Sequence, residues 1–143
     1  MKTLTTLAAS LALSGCAGLS LPIGTPPQAP PAVTKTSRAA LDFSLNLFDF
    51  ALYGLDAAMD RGDIIPGSEP ARKIAAAGRK VQKFLGAAEA AHDLGSAETY
   101  EEAFAKAGEA LKEFRSLVGG SPTALRAPLN TNQRTGILAR AEA

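Results

Sequence analysis

Few side chains in this sequence could do chemistry, and the most distinctive is Cys16, the sole cysteine of the 143-residue chain. It ends the run Leu13-Ser14-Gly15-Cys16, directly after a short apolar stretch. A thiolate is the side-chain nucleophile that can form a thioether, so this position suits covalent modification. A modified Cys16 leaves no thiol for a disulfide, and the fold must then be stabilised by packing alone.

The residues before Cys16 have the pattern of an export signal. Lys2 supplies one positive charge, and an apolar core of about ten residues follows it. A membrane-spanning helix needs ~20 apolar residues, so residues 1–15 are predicted to be a signal peptide rather than a transmembrane helix. All four positions of Leu13-Ser14-Gly15-Cys16 fit the lipobox, and the chain therefore resembles the bacterial lipoproteins.

This resemblance implies a diacylglyceryl group on the Cys16 sulfur and removal of residues 1–15. It assigns signal-peptidase recognition to Leu13, Ser14 and Gly15. The acyl chains would anchor the protein in a membrane, and the covalent lipid is the only cofactor that we expect. In similar lipoproteins of enteric bacteria an aspartate after the cysteine favours the inner membrane. Here Ala17 follows, so the resemblance implies the outer membrane, with the protein facing the periplasm.

The segment after the cysteine is rich in proline. Five of the nine prolines lie between residues 17 and 33, where no periodic apolar face exists. Proline fixes φ and removes backbone donors, so we expect an extended, semi-rigid tether over residues 16–36. At ~3.1 Å per residue the tether could hold a domain roughly 50 Å from the lipid. A docking site for a proline-reading partner is the less favoured interpretation.

The remaining sequence predicts an all-α fold: an antiparallel, up-down-up three-helix bundle over residues 37–118. Apolar residues recur in alternating steps of four and three within three segments, 37–61, 69–94 and 97–118. The first segment carries a second apolar stripe, which includes Phe43, Leu47 and Phe50, so it needs more than one partner helix. Short connections favour antiparallel neighbours. Residues 119–143 are predicted to be a flexible tail, with at most a brief frayed helix after Gly136.

Charges oppose the dipoles of the first two predicted helices. Acidic residues gather toward the end of the first helix, and basic residues begin the second. An antiparallel hairpin would bring these ends together and let the two groups compensate each other. We therefore predict pairing of Asp56 or Asp60 with Arg72 or Lys73, and of Asp49 with Arg79 or Lys80. The competing interpretation is a basic patch for phosphate, lipid headgroups or nucleic acid, but no aromatic residues interleave with it.

Nothing else in the sequence predicts catalysis or metal binding. His92 is the only histidine, and it lies near a predicted helix end, where an imidazole can meet free carbonyl groups. No second histidine or cysteine supports it as a metal ligand. Once Lys2 is removed with the leader, basic and acidic side chains are equal in number. A chain without net charge is not built for bulk attraction to nucleic acid.

Two functions of different kinds fit these features. The favoured one is a non-catalytic envelope lipoprotein whose helical bundle contacts a protein partner or self-associates. The size and layout also resemble small helical lipoproteins of phages and prophages, which implies a role in manipulating the host envelope, such as lysis or exclusion of competing phages. The alternative is a carrier or sensor of a small apolar ligand bound between the helices, lined by Phe43, Phe48, Phe50 and Phe84.

Overall fold

The computed structural model describes residues 35–119 and 127–143, and in these ranges the chain is entirely helical apart from short connections. The all-α class is thereby confirmed. The helices are α1 (Lys35–Asp60), α2 (Glu69–Asp93), α3 (Ala97–Val118) and α4 (Thr131–Glu142). The predicted signal peptide, the lipobox with Cys16 and the proline-rich tether lie outside the described residues.

Local sequence signals explain where α2 begins and where the first two helices end. Ser68 is the N-cap of α2, and its hydroxyl accepts a hydrogen bond from the Ala71 amide. Pro70 follows within the first turn, where its missing amide hydrogen leaves no bond unmade. Gly62 and Gly95 follow α1 and α2 with φ of 77° and 69°, a left-handed conformation that glycine adopts without a steric penalty.

Long-range contacts fix the direction of each helix. Arg38 near the start of α1 reaches Glu89 near the end of α2, so these two helices are antiparallel. The Tyr100 hydroxyl at the start of α3 donates to the Ser37 carbonyl at 2.6 Å, and further along Phe48 meets Phe114 edge-on at 5.4 Å. Helix α3 therefore runs parallel to α1 and antiparallel to α2.

The apolar core lies between α1, α2 and α3. Side chains from all three helices fill it, and the largest that are fully enclosed there are Leu41, Phe48, Leu52, Leu55, Val81, Leu85 and Phe114. Helices α2 and α3 make the most extensive pairwise contact. Their facing surfaces are rich in alanine, and small side chains let two helix backbones approach closely.

The flexible tail predicted for residues 119–143 is corrected over residues 127–143, where the structure has a fourth packed helix. Helix α4 begins with a capping box in which the Asn130 side chain accepts from the Gln133 amide and the Gln133 side chain accepts from the Asn130 amide, both at 2.9 Å. Leu138 and Ala141 are fully buried. The three-helix prediction therefore lacks one element, a short helix that lies against α1 and α2.

Gly78 of α2 makes room for this fourth helix. A β-carbon placed on Gly78 would lie 2.4 Å from Leu138 Cδ2 and 3.1 Å from Phe114 Cε2. A β-carbon placed on Gly86, two turns further along the same helix, would meet no atom of the described residues within 4 Å. The missing side chain at position 78 is thus a notch that receives Leu138, whereas Gly86 has no comparable packing role.

Candidate interaction surfaces

A buried ion pair joins α1 to α4. The Arg134 guanidinium donates two hydrogen bonds to the Asp49 carboxylate, from Nε to Oδ1 at 2.6 Å and from Nη2 to Oδ2 at 3.0 Å. The Leu129 amide, just before α4, donates to the same Oδ2 at 3.0 Å. The Asp49 and Arg134 side chains are only 4% and 15% exposed. Such a two-bond geometry is directional, so it fixes how far along α1 the fourth helix sits.

Further charges hold the other end of α4. Arg140 donates from Nη1 to Asp56 at 2.8 Å and from Nη2 to Asp60 at 2.7 Å, and the bond to Asp60 is the main cause of its raised pKa. On the α2 side Arg79 grips Glu142 with two bonds, one of them Nε to Oε1 at 2.6 Å. This hydrogen bond lowers the pKa of Glu142 and raises that of Arg79.

The predicted pairing between α1 acids and α2 bases was therefore wrong about the partner. The α1 acids pair with bases of α4 instead, Asp49 with Arg134, and both Asp56 and Asp60 with Arg140. Two of the α2 bases pair elsewhere: Lys73 with Glu69 on its own helix at 2.7 Å, and Lys80 with Glu113 of α3 at 3.5 Å. Arg72 is exposed. The residues of the predicted pairs were Asp49, Asp56, Asp60, Arg72, Lys73, Arg79 and Lys80.

The hairpin does contain one charge cluster between α1 and α2, at the end opposite to the predicted one. Arg38 lies 3.1 Å from Asp42, 3.4 Å from Glu89 and 3.7 Å from Asp93. All four side chains are at least 40% exposed, so this cluster orients the helices more than it stabilises them.

The outer side of α1 exposes apolar surface. Phe43, Leu47 and Phe50 lie roughly 180–240° around the helix from the buried Leu41, at 100° per residue. Phe43 is 64% exposed, and the other two are half-buried. Phe50 also lines an open groove of about 470 Å³ between α1 and α3, which Leu111, Lys112 and Arg115 line from the α3 side. The outer side of α1 and this groove form a continuous surface with apolar and cationic parts.

The four phenylalanines expected around a ligand do not converge. Phe48 is fully buried against Phe114 in the core, whereas Phe43 points to solvent. Phe50 lies on the groove, and Phe84 of α2 is partly buried with the Lys83 ammonium 5.9 Å from its ring centre. An apolar ligand enclosed by these four side chains is therefore incompatible with the observed packing.

His92 lies at the end of α2, packed edge-on against Tyr100 at 5.9 Å. Both ring nitrogens are enclosed, neither has a hydrogen-bond partner within the described part of the chain, and Nδ1 lies 3.6 Å from Asp93. Burial raises the pKa of Tyr100, whose hydroxyl donates to the Ser37 carbonyl. Among residues 35–119 and 127–143, no group of three metal-ligating side chains comes together.

Among residues 35–119 and 127–143, none of the helices combines the length and the hydrophobicity that spanning a bilayer requires. Comparisons with protein-family models, curated proteins and solved structures find no match to this chain.

Proposed function

We propose that this chain is a non-catalytic bacterial envelope lipoprotein, anchored by lipid on Cys16 and presenting its helices for contact with protein. The observation that carries the proposal is the run Leu13-Ser14-Gly15-Cys16 at the end of an apolar leader. Two or three acyl chains would bind a bilayer far more firmly than the marginal hold of one, at ~0.8 kcal/mol per buried methylene. The proline-rich segment would then space the helices from the membrane.

The proposed contact surface is the outer side of α1. Phe43 exposes most of a large aromatic side chain, and Leu47 and Phe50 extend the apolar area along the helix. Exposed single apolar residues are ordinary, but a stripe along one helix, continuous with a groove, is typical of an interaction site. The partner would be a protein of the envelope or a second copy of the chain.

Metabolic labelling tests the anchor. Labelled palmitate should enter the wild-type chain expressed in a bacterial host and should not enter Cys16→Ser, which also retains the leader. Equal labelling of both proteins would refute the lipoprotein assignment.

Fractionation tests the location: the wild type should sediment with outer membranes, and Ala17→Asp in an enteric host should shift to the inner membrane.

Crosslinking in intact cells tests the contact surface. Phe43→Glu should abolish crosslinked species of higher mass that the wild type forms. The control is Ile65→Glu, which removes an apolar side chain that is 68% exposed and follows the end of α1, whereas Phe43 lies in the first third of that helix. Equal loss in both variants would show that general surface hydrophobicity, rather than the outer side of α1, causes the association.

The groove between α1 and α3 favours a second candidate function, the binding of a small apolar ligand that carries a negative charge. Its volume falls in the range of ordinary ligand sites, and Lys112 and Arg115 could pair with an anionic end. Displacement of a fluorescent fatty acid from the wild type, with weaker binding by Lys112→Glu, would support it.

A phage or prophage origin is proposed as well, and genes for a holin and an endolysin beside this one would support that origin.

A further inference from the structure

Helix α4 depends on its binding site for its own structure. It has only 12 residues, a length at which isolated helices are marginal in water. Leu138 and Ala141 are its only fully buried side chains, and the nearly buried ion pair between Asp49 and Arg134 supplies much of its remaining attachment. We call the surface that receives it the α4 cradle: Asp49, Asp56 and Asp60 on α1, with Gly78 and Arg79 on α2.

The rest of the described structure does not depend on α4 in the same way. The large enclosed side chains of α1, α2 and α3 pack against one another, and Leu138 is the only large one that α4 adds. Detaching α4 would uncover the notch at Gly78 and the acids of the cradle while leaving the Phe48–Phe114 contact in place. Docking of α4 is thus a separate, smaller equilibrium than folding of the three longer helices.

We propose that the cradle is an exchangeable binding site, which takes α4 either from its own chain or from a second copy. Every copy carries the same cradle and the same complementary set of Arg134, Leu138 and Arg140. Residues 119–130 connect α3 to α4, and twelve residues reach at most about 40 Å, enough to span neighbouring molecules. Reciprocal exchange of such an element gives a two-fold dimer without any new contact surface.

Membrane attachment would favour the exchanged form, because tethering raises the effective concentration of one copy around another. That consequence rests on the proposed lipid anchor, whereas the exchange itself does not. It is therefore tested with the full chain carrying Cys16→Ser, in solution and without lipid.

Charge reversal separates attachment within one chain from attachment between chains. Asp49→Arg places an arginine opposite Arg134, and Arg134→Asp places an aspartate opposite Asp49, so in either variant closure of α4 onto its own cradle brings like charges together at a nearly buried position. Mixed together, the two variants offer each α4 an oppositely charged cradle on the other chain. We expect each variant alone to be monomeric and the equimolar mixture to double in mass by light scattering.

The control is the chain carrying both reversals, in which position 49 and position 134 are again of opposite charge. It should be monomeric, because α4 can close within the chain, although the Leu129 amide loses its acceptor. A mixture that stays monomeric while both variants keep α1–α3 helical by circular dichroism would overturn the proposal. So would a dimer formed equally by either variant alone, because that association would not depend on the cradle.

A peptide of residues 127–143 provides a second measurement if the mixture precipitates. By fluorescence anisotropy it should bind Arg134→Asp, whose cradle keeps Asp49, at least tenfold more tightly than Asp49→Arg. It should also bind the wild type more weakly than Arg134→Asp, because the wild-type cradle is already occupied. Equal affinity for all three proteins would show that the peptide binds elsewhere and would refute exchange.

Discussion

Gly78→Ala is the most direct test of how α4 packs, because Gly86 supplies a control on the same helix. In an exposed helix interior, replacing glycine by alanine stabilises by about 0.5–1 kcal/mol, since alanine loses less backbone entropy on folding. At position 86 a new methyl group meets nothing within 4 Å, so Gly86→Ala should raise the free energy of unfolding by that amount.

At position 78 the same methyl group would lie 2.4 Å from Leu138 Cδ2 and 3.1 Å from the Phe114 ring. The end of a leucine side chain can usually move, but Leu138 is fully enclosed and the ring behind it is fully buried. Overpacking of this kind costs about 1–3 kcal/mol. After subtracting the helix-propensity gain of up to about 1 kcal/mol, Gly78→Ala should be neutral to destabilising by ~2 kcal/mol.

The assay is urea unfolding of the full chain carrying Cys16→Ser, together with hydrogen exchange of the α4 amides. We expect Gly78→Ala to lower the protection of α4 selectively, and we expect the protection of α1–α3 to be retained. Leu138→Ala in the Gly78→Ala background removes the overlapping atoms, so the two substitutions together should cost less than the sum of their separate effects. Gly78→Ala and Gly86→Ala with equal stabilisation would refute the packing of Leu138 into the notch.

Three further predictions concern polar groups. Asp49→Asn breaks a buried ion pair, which costs about 3–5 kcal/mol when the remaining charge stays buried. Because α4 can detach and release Arg134 to water, urea unfolding should show a decrease in the free energy of unfolding no larger than this. The lowered pKa of Glu142 means that its bond to Arg79 stabilises α4 at pH values above the ordinary pKa of 4.5, and that this stabilisation is lost as the pH falls through the lower pKa of the folded state. Acid should therefore reduce the hydrogen-exchange protection of the α4 amides, and should reduce it less in Glu142→Gln. Tyr100→Phe removes the bond to Ser37 and should cost about 1 kcal/mol in the same unfolding assay.

The sequence predicts the helical class because long stripes of apolar residues, spaced by three and four, are typical of amphipathic helices. Hydrophobic periodicity does not predict α4, because a 12-residue segment with two buried residues carries almost no periodic signal. One local signal was present: Asn130 followed three residues later by Gln133 is a capping box, and the structure forms both of its bonds. A capping motif can therefore predict a short helix whose apolar face is too small to give a periodic pattern.

The charge partners could not be predicted, for a different physical reason. Coulomb attraction between side chains has no sequence signature beyond sign, so any base that a fold brings near Asp56 and Asp60 would satisfy them. The helix dipole argument predicts only that the acids at the end of α1 are paired with some base. It could not distinguish the bases of α2 from Arg140, which belonged to a segment without a recognisable fold.

The position of α4 also explains why one side of α1 stays exposed. Its Leu41 side packs into the core, and α4 covers the neighbouring acidic side through Asp49, Asp56 and Asp60. Because its ion pairs hold α4 in place, it lies over the acids and not over Phe43, whose stripe carries no carboxylate. An apolar helix could have covered that stripe instead, but the chain places its last described helix where the ion pairs are. The exposed side of α1 is thus a consequence of what attaches α4, and it is this side that we propose for a partner.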